Sequence, residues 1–493
     1  MIGSWRRTAI LVGAGAMALT LFPVGAAQAA TFSVNSSADT DDGNCTTAAA
    51  GCTLREAINA ANNAAGDDAI NFSAAAGPVI SLDSPLPMIT TAVNLQGPGS
   101  SSLEITRSAS ASTAFRVLNI QSSAPVSVSG LTVSNGLATG TTARGGGIFF
   151  IGISLAVDGV VITGNHADAS STGATNAVAG GGGLAISAGA VVTVRDSTIE
   201  SNETTAVASG AGTEAAGGGG ILSLGSLTVE RSTITGNQAG DGALGSPGGG
   251  GGISNNGTLT VINSTLDHNG AVDFGGGIDS FGAGSSTTLN SDTISENTAN
   301  TNGDGYGNGG GTQSGAGPPS GIFVSNTLYW RNRVLLTPLS LDDQQCAGFD
   351  HISSGYNIRS ASATPDCGGF TGTGDTLDSS TWVLSLLGSN GGPTQTRALP
   401  VGADPIDIGN PATPGSGGAA CPATDQRGLL RTGPAGRCDI GAFELNAVQP
   451  PPAATGAAAG APTAVPSRTR KKCKKKKRAE VAKKKRCKRK RRK

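Results

Sequence analysis

A paired motif returns five times along this chain, and few folds accommodate it. A glycine run ending in an aliphatic residue is followed, 16 to 19 positions later, by an aliphatic-x-x-Asn. The run Gly145-Gly146-Gly147-Ile148 pairs with Ile162 and Asn165, and Gly181-Gly182-Gly183-Leu184 with Ile199 and Asn202. Gly218-Gly219-Gly220-Ile221 pairs with Ile234 and Asn237, and Gly250-Gly251-Gly252-Ile253 with Leu266 and Asn269. Gly275-Gly276-Gly277-Ile278 pairs with Ile294 and Asn297. The asparagines step by 37, 35, 32 and 28 residues. A fixed motif at an elastic period indicates stacked units joined by loops of variable length.

Inside each unit the pattern alternates with period two. Leu227-Thr228-Val229 leads into Ser232-Thr233-Ile234, and Leu259-Thr260-Val261 into Ser264-Thr265-Leu266. Such runs set aliphatic residues on one face and Thr or Ser on the other, which predicts about three short strands per unit. One triplet cannot bury its own apolar face, so units must stack and pair strand with strand in parallel. The fold class is therefore all-β: a right-handed parallel β-helix, the hand following from the crossover rule. Ile148, Leu184, Ile221, Ile253 and Ile278 should form one interior column, and Ile162, Ile199, Ile234, Leu266 and Ile294 another. The asparagines suit turns in which each side chain bonds its own backbone and that of the next coil. The Ala/Ser/Thr/Gly loops after them, such as 167–179, are where a glycan ligand would be met.

The repeat resembles that of the polymorphic outer-membrane protein family, with Gly for Ala and Ile or Leu for Phe; this implies architecture, not an adhesive role. The segment Cys52-Thr53-Leu54-Arg55-Glu56-Ala57-Ile58-Asn59-Ala60-Ala61-Asn62 carries a capping box and an apolar stripe at helical spacing. A short helix at 53–64 laid over the first coil would close its open end. Residues 31–66 closely resemble the CSLREA domain, with Thr53 in place of Ser. Farther on come Asn390-Gly391-Gly392-Pro393-Thr394-Gln395-Thr396, Pro405-Ile406-Asp407-Ile408-Gly409, Asp425-Gln426-Arg427-Gly428 and Cys438-Asp439-Ile440-Gly441-Ala442-Phe443-Glu444. These resemble the choice-of-anchor Q domain over about 345–446. In that resemblance Asp407, Asp425, Arg427, Asp439 and Glu444 look catalytic but are expected to bond turn backbones and pair with Arg.

The chain divides into a signal peptide at 1–29, an N-terminal cap at 30–66, β-helix repeats at 67–332, an anchor-Q-like region at 333–446, a Pro/Ala/Gly linker at 447–467 and a polybasic tail at 468–493. Arg6-Arg7, an apolar stretch and Ala27-Gln28-Ala29 make the leader, so the expected location is secreted and envelope-associated, with no span after its removal. The eight cysteines fit an oxidising compartment and fall into neighbours: Cys45 with Cys52, Cys346 with Cys367, Cys421 with Cys438, Cys473 with Cys487. Spacing alone leaves connectivity open.

Net charge zero hides a segregation. Residues 30–467 hold 33 acids, 13 Arg and no Lys, a balance of −20; residues 468–493 hold 19 Lys or Arg and one acid, a balance of +18. Lys471, Lys472, Lys474, Lys475, Lys476, Lys477, Arg478, Lys483, Lys484, Lys485 and Arg486 form its densest runs. Such a block is expected to be disordered and to bind polyanions: anionic envelope polymers or lipid head groups. No cofactor is indicated. Asp39, Asp41 and Asp42 offer oxygens to Ca²⁺ but lack the Glu of a complete calcium loop, so a solvated turn is expected.

Two functions fit. One is a non-enzymatic surface protein, adhesive or glycan-binding, held by its tail. The alternative is a polysaccharide-active lyase, hydrolase or epimerase, since pectate lyases and polygalacturonases share this solenoid, and fold alone does not choose. Hydrolases need paired carboxylates and lyases a base beside acids or Ca²⁺. The repeats hold no Lys, and Asp267, His268 and Asp273 are the nearest approach to an acid–base cluster. Their pattern equally fits a turn, which favours the non-enzyme.

Overall fold

In the computed structural model of the chain, residues 28–43, 45, 51–240, 248–315, 321–337, 340–348, 351–361, 367–378, 382–431 and 436–451 are described. The leader, Cys473 and Cys487, most of the linker and the basic tail lie outside them.

The described chain is a parallel β-helix. Two 11-stranded sheets run its length: sheet 1 from Thr31–Val34 to His351–Gly355, and sheet 2 from Val79–Leu82 to Thr376–Asp378. Sheet 3 has 8 strands between Leu118–Ser122 and Cys346–Gly348, and sheet 4 has 8 between Leu137–Gly140 and Ser340–Asp343. Sheet 5 has 4 strands, from Thr142–Arg144 to Gly248–Gly249. One coil shows the order: Ile221–Ser223 in sheet 3, Ser226–Glu230 in sheet 1, Thr233–Thr235 in sheet 2, Gln238–Ala239 in sheet 4. Where three strands per unit were expected, sheets 4 and 5 add strands from the segments beyond the asparagine. Those segments are Ala-, Gly- and Thr-rich and give no clear alternation, yet parallel neighbours above and below supply their hydrogen bonds.

Both aliphatic columns stack in register. Ile148 pairs with Leu184, then Ile221, Ile253 and Ile278; Ile162 pairs with Ile199, then Ile234, Leu266 and Ile294. All ten side chains are fully buried, each worth about 1.5–3 kcal/mol.

The motif pairs glycine with asparagine because the two touch. Asn165, Asn202, Asn237, Asn269, Asn297 and Asn332 form a buried ladder in which each Nδ2 donates to the Oδ1 of the next at 2.8–2.9 Å. Each backbone N–H donates to that same oxygen. Gln345 ends the ladder, its Oε1 accepting from Asn332. The glycine run makes room for this. A Cβ on Gly220 would meet the Asn237 amide at 3.0 Å and the Gly252 carbonyl at 2.7 Å, while Gly218 turns the corner at φ +65.

The N-terminal end is closed by the helix Leu54–Asn63. Thr53 caps it and Glu56 bonds back to the Thr53 N–H, while Leu54, Ala57, Ile58 and Ala61 turn inward. The sheets exceed the expected 67–332 at both ends. Thr31–Val34 already pairs with Asp68–Phe72, and coils continue to Thr376–Asp378. The 333–446 region is thus part solenoid and part overlay. From residue 382 the chain leaves the sheets and folds back across the outer face of sheet 2. There Leu384, Leu399, Ile440 and Phe443 pack on Leu328, Trp330 and Ile358. Disulfides join Cys45 to Cys52, Cys346 to Cys367 and Cys421 to Cys438.

Candidate functional site

The outer face of sheet 2 carries the first candidate. Asp267 ends the strand Thr265–Asp267 and stands in register with Ser295. It is 1% exposed. Arg397 of the overlay donates to its Oδ1 at 2.7 Å, Ser295 to the same oxygen at 2.6 Å, and His268 Nδ1 lies 2.7 Å from Oδ2. The other imidazole nitrogen is 2.9 Å from Glu296. Burial pushes the Asp267 carboxyl up, but the His268 bond, the Arg397 charge and the Ser295 hydroxyl hold it below its usual value. The Asp267 bond, against burial, keeps the imidazole above its usual value. His268 thus bridges the two carboxylates, one through each ring nitrogen. Asp273 lies beyond the next strand, Gly270–Ala271, buried, its carbonyl accepting from Asn300. Arg397, which arrives from 130 residues away, joins Asp267 and Glu296 in one charge network with His268.

The overlay reads the threonines of sheet 2 one by one. Thr265 Oγ1 donates to Gln426 Oε1 at 2.6 Å, and Gln426 Nε2 donates to Ser232 O and Thr233 Oγ1. The Ala442 N–H donates to Thr293 Oγ1. Behind these contacts Asp425 pairs with Arg427 at 2.6 Å and Glu444 with Arg431 at 3.2 Å. Among the described residues, Asp407, Asp439 and Glu444 are the one trio of acids with ligand atoms within 4.8 Å of one another. Two of the three are engaged: Asp439 accepts from the Asp407 and Leu445 N–H groups, and Glu444 from Asp439 N–H and Arg431. Burial raises Glu444 to about 7 despite Arg431.

Asp39, Asp41 and Asp42 each have a different partner. Asp39 binds Arg55 at 2.5 Å and the Asp83 and Ser84 N–H groups, and Asp41 accepts from Asn59. The Asp42 N–H donates to Glu56. These acids tie the helix to the coil beneath it.

Sheet 3 carries a site that the repeat pattern did not reveal. Its outward row runs Leu222, Ser254, Asp279, Gln313 through successive coils. Sheet 5 stands beside it, pressed so close that a Cβ on Gly249 would meet Asp279 Oδ2 at 2.3 Å. Between them is a groove of about 620 Å³. Val178, Ala216, Leu222, Phe274 and Phe281 make it apolar, and Asp279 and Gln313 lie at one end. Arg144 and Asp279 are the charged side chains of its lining. Burial raises the Asp279 carboxyl to about 7.

These features define a class: a disulfide-bonded parallel β-helix with a helical cap and a C-terminal overlay. No protein-family model and no curated protein matches the chain. Among solved structures it is similar to the crystal structure of pectate lyase Pel9A, at 15% identity and a TM-score of 0.43, over 86% of this chain and 98% of that one. At that likeness the lyase's activity does not transfer.

Proposed function

We propose that this is a secreted, envelope-associated β-helix protein that binds rather than cleaves, carried by its rigid coils and held to anionic polymers by residues 468–493. One observation carries the reading: three of the acids that looked catalytic are paired with an arginine, and Asp439 accepts from backbone N–H groups. Asp267 is held by Arg397, Asp425 by Arg427 and Glu444 by Arg431. The groove holds one carboxylate among its described lining residues, whereas glycoside hydrolysis needs two. The disulfides and the leader motif support an extracellular location. No helix among the described residues is long and apolar enough to cross a membrane. The likeness to CSLREA and choice-of-anchor Q segments agrees with this reading, since the residues carrying it build the helical cap and the overlay.

Incubating the full chain with pectate, alginate and other uronans, with and without Ca²⁺, tests the non-enzymatic part. We expect no unsaturated uronate absorbance and no new reducing ends. Turnover abolished by Asp267→Ala or His268→Ala would establish the enzyme instead.

A further inference from the structure

We propose that the groove between sheets 3 and 5 binds an organic ammonium: a ligand with an apolar body and one protonated amine directed at Asp279. This goes beyond the scaffold role and does not depend on it.

The groove has the size of a small-molecule site, about 620 Å³, and its walls are mostly apolar. At one end two acceptors lack donors. Asp279 is 8% exposed, and among the described residues neither a hydrogen bond nor an ion pair reaches its carboxylate. Gln313, next in the same row, is 9% exposed, and its Oε1 has no partner. An ionised carboxylate and an amide oxygen only accept, so a matching ligand must donate. A lone carboxylate between apolar walls is costly, and the species that relieves the cost is a cation. Phe274 and Phe281 also line the groove, and aromatic rings attract a cation more than a neutral donor.

The groove also sets the ligand's direction. Arg144 aligns through Gly180 and Gly217 with Gly249, which abuts Asp279. Three coil spacings put it about 14 Å from that glycine. A cation is therefore repelled from the Arg144 end and drawn to the Asp279 end. Leu222, Ala216 and Val178 lie between the two and face the apolar body. With its carboxyl at about 7, Asp279 ionises readily once an ammonium is present.

The test uses the full chain at about pH 8, where Asp279 is ionised, and three probes sharing one body: 2-phenylethylammonium, 2-phenylethanol and 3-phenylpropionate. Binding is read by calorimetry and by the rise in Tm. We expect the ammonium to saturate one site and to bind at least about tenfold tighter than the alcohol. Asp279→Asn should erase that preference, and Gln313→Leu should weaken ammonium binding while far-UV circular dichroism stays unchanged. Without ligand, Asp279→Asn should raise Tm, as expected of a residue kept for binding and not for stability. Equal binding of ammonium and alcohol, unchanged ammonium binding by Asp279→Asn, no saturable binding, or a lowered Tm of Asp279→Asn would overturn the proposal.

Discussion

At the scale of residues, the asparagine ladder carries more than any other polar feature. Asn237 donates to Asn269, Ile199 O and Thr235 O and accepts from Asn202, all in a site with no water access. Asn237→Ala leaves several of these groups unpaired, and each buried orphan costs about 1–3 kcal/mol. We expect a loss of about 3 kcal/mol or more in denaturant unfolding; a loss within experimental error would remove the ladder as a stabilising device. Arg397 is the second such residue, since both it and Asp267 are 2% exposed at the side chain. Arg397→Ala strands a buried carboxylate and should cost about 3–5 kcal/mol. The signs with pH differ across the cluster. The Asp267 carboxyl sits below its ordinary value, so its contribution is full above about pH 4 and fades as pH falls through the lowered pKa. The His268 imidazole sits above its ordinary value, so its contribution is full below about pH 6.5 and fades as pH rises through the raised pKa. His268→Ala should therefore destabilise by a measurable amount, under about 1 kcal/mol for so exposed a pair, at pH 5 and by less at pH 9. Asp279 has the opposite sign to Asp267. Its raised carboxyl lowers stability as pH climbs from about 4 to 7, by up to about 4 kcal/mol.

At the scale of elements, legibility followed locality. The glycine-run and Ile-x-x-Asn pattern could be read because every coil repeats the same contact. The Thr53 to Glu56 cap could be read because its partners are three residues apart. Asp279 could not. It occupies the position after the interior aliphatic, where Phe149, Ala185, Leu222, Ser254 and Gln313 stand in other coils. A position facing outward into loops carries no period, and only aligning the coils on their glycines singles out Gly-Gly-Gly-Ile-Asp. The docking of the overlay on sheet 2 was illegible for a different reason. Its Arg397 and Gln426 reach partners 130 and 161 residues distant through irregular backbone, and nothing periodic marks either end. The overlay is also where a disulfide has structural effect. Cys421–Cys438 spans a separation of 17, for which chain entropy suggests about 3 kcal/mol. We expect selective reduction to loosen the overlay and to shift the fluorescence of Trp330, which is 2% exposed beneath it. Unchanged emission and unchanged protease resistance after reduction would show that packing alone holds the segment.

At the scale of the whole molecule, an acidic body precedes a basic tail. Under the proposed function, the body's balance of −20 would be repelled by an anionic cell surface, and the +18 of residues 468–493 would draw the chain to it. Near an anionic leaflet each Lys or Arg contributes about 1 kcal/mol and loses it beyond a Debye length. Teichoic-type polymers or extracellular DNA would bind through the same counterion release. The most direct measurement is envelope retention of the full chain beside a chain ending at Pro466, across a salt series. The account predicts that the full chain is retained at low salt and released steeply as salt rises, while the shortened chain stays in the medium throughout. Equal retention of both, or retention of the full chain that ignores salt, would contradict it.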